Sequence, residues 1–161
     1  MENEKKFKTK TGFCNVTVEK IFLTRDGVIG NISNTIVGNG ISKIIIIYSG
    51  ISLFLLYSAY DDFEKGEKFT GIFYILFALF LIYGILKSLN NSATPIIERN
   101  KIKEAKFING KAGLTRSRFE ILFEENGKVK KRIIMLPGTL NDGQIETEKA
   151  LKMMKEEKII I

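Results

Sequence analysis

Two long uncharged apolar runs, Ile44 to Tyr60 and Phe69 to Leu86, stand back to back with only Asp61 to Lys68 between them. A surface helix of a soluble protein shows an apolar stripe and a polar face. The second run has no polar face at any helical setting, and the first is nearly as uniform. A hydrocarbon layer about 30 Å thick is crossed by roughly 17–25 helical residues. Each run is about that long once Lys43, Lys68 and Lys87 reach to the headgroups. The pattern predicts a transmembrane helical hairpin over 41–90. Tyr48, Tyr57, Tyr60, Tyr74 and Tyr83 all fall inside the runs, several near the ends, where amphipathic rings favour the headgroup level.

The flanks alternate on a shorter period. In residues 1–40, Asn15 to Val18 is readable as a strand. Lys20 to Thr24, an Asp26-Gly27 turn and Val28 to Ile32 then make a hairpin signal. In residues 91–161, Thr94-Pro95 is expected to end the second helix, because the residue before proline resists the helical region. Three β-rich stretches follow: Ile102 to Ile108, Arg116 to Phe123 and Lys128 to Leu136. The first is weakly patterned and also readable as partly helical. Asn109 to Gly113 and Glu125-Asn-Gly127 carry turn chemistry between them. Phe119, Ile121 and Phe123 alternate with polar residues, as a half-buried strand should. Beyond Pro137-Gly138, a helix is expected from about Gln144 to Lys158, capped by Asn141 or Asp142. Glu146 and Glu148 early, and Lys152, Lys155 and Lys158 late, suit its dipole. Ala150, Leu151 and Met154 give it a narrow apolar side.

Neither flank alone buries much of a core, since short chains bury a low fraction of their surface. The expected fold is therefore α+β. The hairpin is inserted into a small antiparallel β-barrel or curved sheet, which the C-terminal helix closes. That order of elements resembles small bacterial membrane proteins with a pleckstrin-homology-like domain, including the YcxB-like group. Phe119 to Pro137 and Glu146 to Leu151 carry the likeness, over the C-terminal part of the chain. The resemblance implies a cytoplasmic adaptor or lipid-proximal module.

The net charge of +7 reads first as a topology signal. Lys5, Lys6, Lys8, Lys10, Lys20, Arg25 and Lys43 precede the first run, while Lys87, Arg99, Lys101, Lys103 and Lys106 follow the second. The connecting loop is net acidic. Basic residues near a span stay on the cytoplasmic side. Both termini are thus expected in the cytoplasm, with the protein multi-pass in the inner (plasma) membrane. The first ten residues lack the apolar stretch of a signal peptide, so the first hairpin helix is expected to direct insertion. On that side the sequons Asn15-Val-Thr17 and Asn31-Ile-Ser33 are idle, and the lone Cys14 suits a reducing compartment as a small core residue.

The chain has no histidine, which removes the usual general base and the commonest metal ligand. One cysteine excludes a Cys-rich metal site, and no phosphate-binding glycine loop is present. The expectation is a protein without catalytic residues, metal or cofactor. The bilayer is its first partner. Arg116, Arg118, Lys128, Lys130 and Arg132 are the candidates for contact with anionic headgroups, because shared strand parity would group them. A solvated, edge-protecting sheet face is the plainer reading of the same residues. Nucleic acid is disfavoured, since no base-stacking aromatics flank them. Ser42 and Ser49 on one helix, and Gly71 and Ala78 on the other, are the candidates for close helix packing. The expected role is display of the cytoplasmic domain for protein recruitment or lipid contact. The alternative is an oligomeric channel or transporter subunit built from the hairpins.

Overall fold

The computed structural model describes residues 5–27, 40–111, 114–138 and 143–160. The chain divides into two compact units, 1–39 together with 91–161, and 40–90.

In the first unit, β1 (Lys5–Thr9), β2 (Gly12–Val16) and β3 (Lys20–Arg25) form an antiparallel meander. Its fourth strand, β5 (Ile96–Glu98), comes from beyond the apolar runs and pairs Ile97 with Ile21. A three-residue helical turn, Arg99–Lys101, leads from β5 into the second sheet. There β4 (Asn91–Ser92), β8 (Lys128–Met135), β7 (Arg118–Glu125) and β6 (Ile102–Ile108) lie in that order. The β4–β8 pair is parallel, whereas β6–β7 and β7–β8 are antiparallel.

The two inner faces build one core. Phe7, Cys14, Val16, Ile21 and Ile97 come from the first sheet, and Phe119, Ile121, Phe123 and Ile134 from the second. The Phe7 and Phe119 rings meet edge to face at 5.9 Å, a favoured aromatic geometry. Helix α3 (Gly143–Glu156) adds Ala150 and Met154. After it Lys158 takes a left-handed conformation at φ 53°, and the amides of Ile159 and Ile160 both donate to the Met154 carbonyl. This termination folds Ile160 back into the core.

The strands do not close into a barrel among the described residues. They separate into two sheets because the Arg99–Lys101 turn carries β6 away from β5, leaving β6 paired on one side only. One strand has no counterpart among the sequence expectations, and one expected boundary shifts. The β1 strand comes from the charged N-terminal segment, where Phe7 and Thr9 point inward while Lys6 and Lys8 are exposed. The second apolar helix ends at Ser88, before Thr94-Pro95, because Asn90, Asn91 and Ser92 favour turns over helix. The Val28 to Ile32 strand, the Asn31 sequon and the Asn141 or Asp142 cap lie outside the described residues.

In the second unit, α1 (Ser42–Glu64) and α2 (Lys68–Ser88) form a helical hairpin. Both are long and apolar enough to cross a membrane. Their burial is slight: Ser52, Leu55 and Ala59 on α1, and Gly71 and Ala78 on α2, are the buried residues.

Candidate functional site

The β7–β8 hairpin decides where the basic candidates lie. Asn126 and Gly127 both have positive φ, 52° and 72°, as a tight two-residue turn requires. Glu125 then pairs with Lys128, Phe123 with Lys130, Ile121 with Arg132 and Arg118 with Met135. Residues directly opposite share a face, so even-numbered β8 positions accompany odd-numbered β7 positions. Lys128, Lys130 and Arg132 are therefore on the face of Phe123 and Ile121, which is the inner one. Arg118 is on the outer face, and Arg116 precedes the strand, its guanidinium lying against Gly138. The expected single basic face is not formed. Its correction was available in the Asn-Gly turn, whose two-residue length fixes an odd register sum.

The outer face is a lattice of opposite charges. Arg118 Nε lies 2.8 Å from Glu120, and Lys131 reaches the same carboxylate at 3.8 Å. Lys103 pairs with Glu124 at 3.4 Å. The exposed Lys103–Glu124 pair adds little stability, but with the half-buried pairs of Glu120 it neutralises the surface on which Arg118 stands.

Arg132 is the outlier. One of its terminal nitrogens donates to the Ser92 carbonyl at 3.0 Å, while its buried Nε has no hydrogen-bond partner among the described residues. Burial, reinforced by the nearby charge of Arg25, pushes its pKa down to about 10. Ser92 is a two-way clamp there, its hydroxyl donating to Glu125 at 3.0 Å. The Cys14 thiol is also fully buried, and that desolvation raises its pKa, so it is held as an unreactive thiol. Asn15, the first residue of the described sequon, is itself buried in β2.

Within the helical hairpin, Gly71 and Ala78 lie in the seam as the spacing suggests. A side-chain carbon on Gly71 would stand 3.2 Å from the Ala59 carbonyl and 3.0 Å from the Phe63 ring. The facing residues differ from expectation. Ser42 is exposed and Ser49 only half-buried, whereas Ser52, Leu55 and Ala59 are buried. Ser52 satisfies its hydroxyl by donating to the Tyr48 carbonyl at 2.8 Å, which leaves a small, non-polar contact surface.

One concave surface went unanticipated. A groove of about 820 Å³ runs between β6 and the C-terminal half of α3. Its basic residues Lys103, Lys106, Lys155 and Lys158 are far apart in sequence, and only the fold assembles them. No cluster of three or more metal-binding side chains occurs among the described residues. In comparisons with known proteins, no family model, no curated protein and no solved structure matches the chain.

Proposed function

We propose that this chain is an integral membrane protein whose helical hairpin anchors a β-rich, pleckstrin-homology-like domain for recruitment of a protein partner at the cytoplasmic face. The observation that carries the reading is the surface of α1 and α2. Phe69 is 88% exposed, and Leu53 and Phe80 are each 68% exposed. The core helix of a soluble protein is mostly buried, whereas these helices leave nearly their whole circumference uncovered. Soluble monomers rarely expose apolar patches beyond a few hundred Å².

Two further features support it. Residues 1–39 and 91–161 share one compact unit, so an even number of crossings must separate them. A two-helix hairpin supplies that number. The charge distribution favours the shared domain on the inside, with Asp61, Asp62, Glu64 and Glu67 in or beside the connection on the far side. Separation of the basic candidates onto opposite sheet faces weakens headgroup contact and favours recruitment of protein.

Alkaline carbonate extraction of membranes tests the anchor. The protein is expected in the pellet, and its release to the supernatant would refute the reading. Topology needs a thiol other than Cys14, which burial shields from reagent. Gly66→Cys in a Cys14→Ala background places one in the connection, where open space surrounds Gly66 and its φ of 82° adds backbone strain but no clash. It is expected to react with an impermeant maleimide from outside the cell.

A further inference from the structure

We propose that the groove between β6 and α3 binds an acidic, extended segment of a partner protein, which adds to β6 as a further strand. The inference names the partner chemistry for the recruitment reading above, and so rests on it.

Three observations converge on this surface. The first is the unpaired edge. Among the described residues β6 has a ladder with β7 alone, and its other side ends the sheet. An irregularity between Ile102 and Glu104 disturbs only the start of the strand, leaving Glu104 to Ile108 in regular register. An open strand presents a row of backbone donors and acceptors to an incoming chain.

The second is the floor. Ala105 and Phe107 stand opposite Ile121 and Phe119, so both point to the inner side of the sheet. With Leu151 and Ile159 they line the groove without completing the core. An added strand would set alternate side chains over this floor, because side chains alternate across a sheet.

The third is charge. Arg99, Lys103, Lys106, Lys155 and Lys158 line the groove, with Glu104 as the one carboxylate among its lining residues. Arg99 is held by Glu157, Lys103 by Glu124 and Lys106 by Glu104. Lys155 and Lys158, both exposed, have no ion pair among the described residues. Lysines along an edge must give up hydration to a neutral strand and repel a basic one, so they both guard the edge and select an acidic occupant. A second copy of this chain would bring a β6 of net positive charge to Lys155 and Lys158, which argues against self-pairing through β6.

The test uses the full chain in zwitterionic detergent micelles. The probe is a fluorescein-labelled octapeptide of alternating glutamate and valine, capped at both ends, and a lysine–valine peptide of the same length is the control. Fluorescence anisotropy should register the acidic peptide, with affinity falling as salt rises, and no comparable binding of the control. A Lys155→Glu/Lys158→Glu double variant should weaken binding by about tenfold or more. These side chains are solvent-exposed, so circular dichroism of the variant should match the parent. Amide exchange should slow in Glu104 to Ile108 when the acidic peptide is present. Absence of binding, equal affinity in the double variant, unchanged exchange in β6, or a β6-mediated dimer in light scattering would each overturn the proposal. Carbonate extraction is read separately, so loss of this groove and loss of the membrane anchor are distinguishable results.

Discussion

Arg99 and Glu157 meet at the C-terminal end of α3. One guanidinium nitrogen of Arg99 lies 3.0 Å from the Glu157 carboxylate and 3.0 Å from the Thr17 carbonyl, and the other donates to the Glu157 carbonyl. The fork thus ties the β2–β3 turn, the β5–β6 connection and the C-terminal end of the helix. A cation there also faces the negative end of the helix dipole. Charge-assisted hydrogen bonds of this kind contribute about 1.5–3 kcal/mol when partly buried. Arg99→Ala is expected to lower unfolding stability by about 2 kcal/mol. Arg99→Lys should recover only part, since one ammonium cannot reach all three acceptors. Denaturant titration of the detergent-solubilised protein measures both.

The same junction has a pH signature. Hydrogen bonds from Lys5, then Arg99, hold the Glu157 carboxyl below its ordinary value of 4.5. A depressed folded-state value means that the contribution is fully present above 4.5 and is lost as pH falls through the lower folded value. Lys5 is shifted upward from 10.5 by Glu157 and Glu156, so the same pairing holds from below 10.5 down to where the carboxylates protonate, and is also lost as pH rises through the higher folded value. Glu157→Gln is therefore expected to melt below the parent at pH 7, with the difference shrinking as acid protonates the parent. Melting curves at stepped pH check this, and a constant difference would contradict it.

The sequence pattern discloses some of these elements and hides others for physical reasons. Phe119, Ile121 and Phe123 alternate cleanly, and the strand they mark is the buried middle of its sheet. In Lys5 to Thr9 only Phe7 is a large apolar residue, so β1 has no detectable period by itself. Its position depends on Cys14 across the hairpin and on the Phe119 ring from the opposite sheet. β4 and β5 are shorter still, two and three residues, and owe their conformation to β8 and β3. The groove lysines come from β6, α3 and the turn after it, and only tertiary packing places those together. Uniform apolarity, by contrast, needs no partner to be legible, which is why α1 and α2 stand out.

The turn that places the basic residues depends on Gly127. Its φ of 72° lies in the left-handed region, and space around it is open, so a methyl group there meets no atom. The cost of Gly127→Ala is then backbone strain alone, about 1 kcal/mol. Asn126→Gly should change stability little, since glycine adopts φ 52° without penalty. Equilibrium unfolding of the two variants separates the contributions.

In the helical hairpin, close approach at Gly71 sets the helix spacing. A larger side chain must displace the Ala59 backbone carbonyl as well as the mobile Phe63 ring. Gly71→Leu is expected to destabilise the helix pair by roughly 1–3 kcal/mol, as overpacking does. Gly84 has nothing within 4 Å, so Gly84→Leu serves as a control of equal added volume and should be nearly neutral. Thermal melting in one detergent compares them directly. Equal losses in both variants would assign the effect to helix propensity or detergent contact in place of the seam.

Arg132 offers the sharpest contrast between charge and volume. Its guanidinium is desolvated beside Arg25, donates to the Ser92 carbonyl, and among the described residues keeps an unpartnered Nε. Replacing a poorly compensated buried ion by an apolar side chain of similar size is often neutral or stabilising. Arg132→Met is therefore expected to keep stability within about 1 kcal/mol of the parent or to exceed it. Arg132→Ala removes the volume as well, leaving a gap beside Cys14 and Ile121, and should cost about 2 kcal/mol or more. Denaturant midpoints of the pair discriminate. If methionine costs as much as alanine, the charge itself stabilises the fold, and the Ser92 clamp is more valuable than its single hydrogen bond suggests.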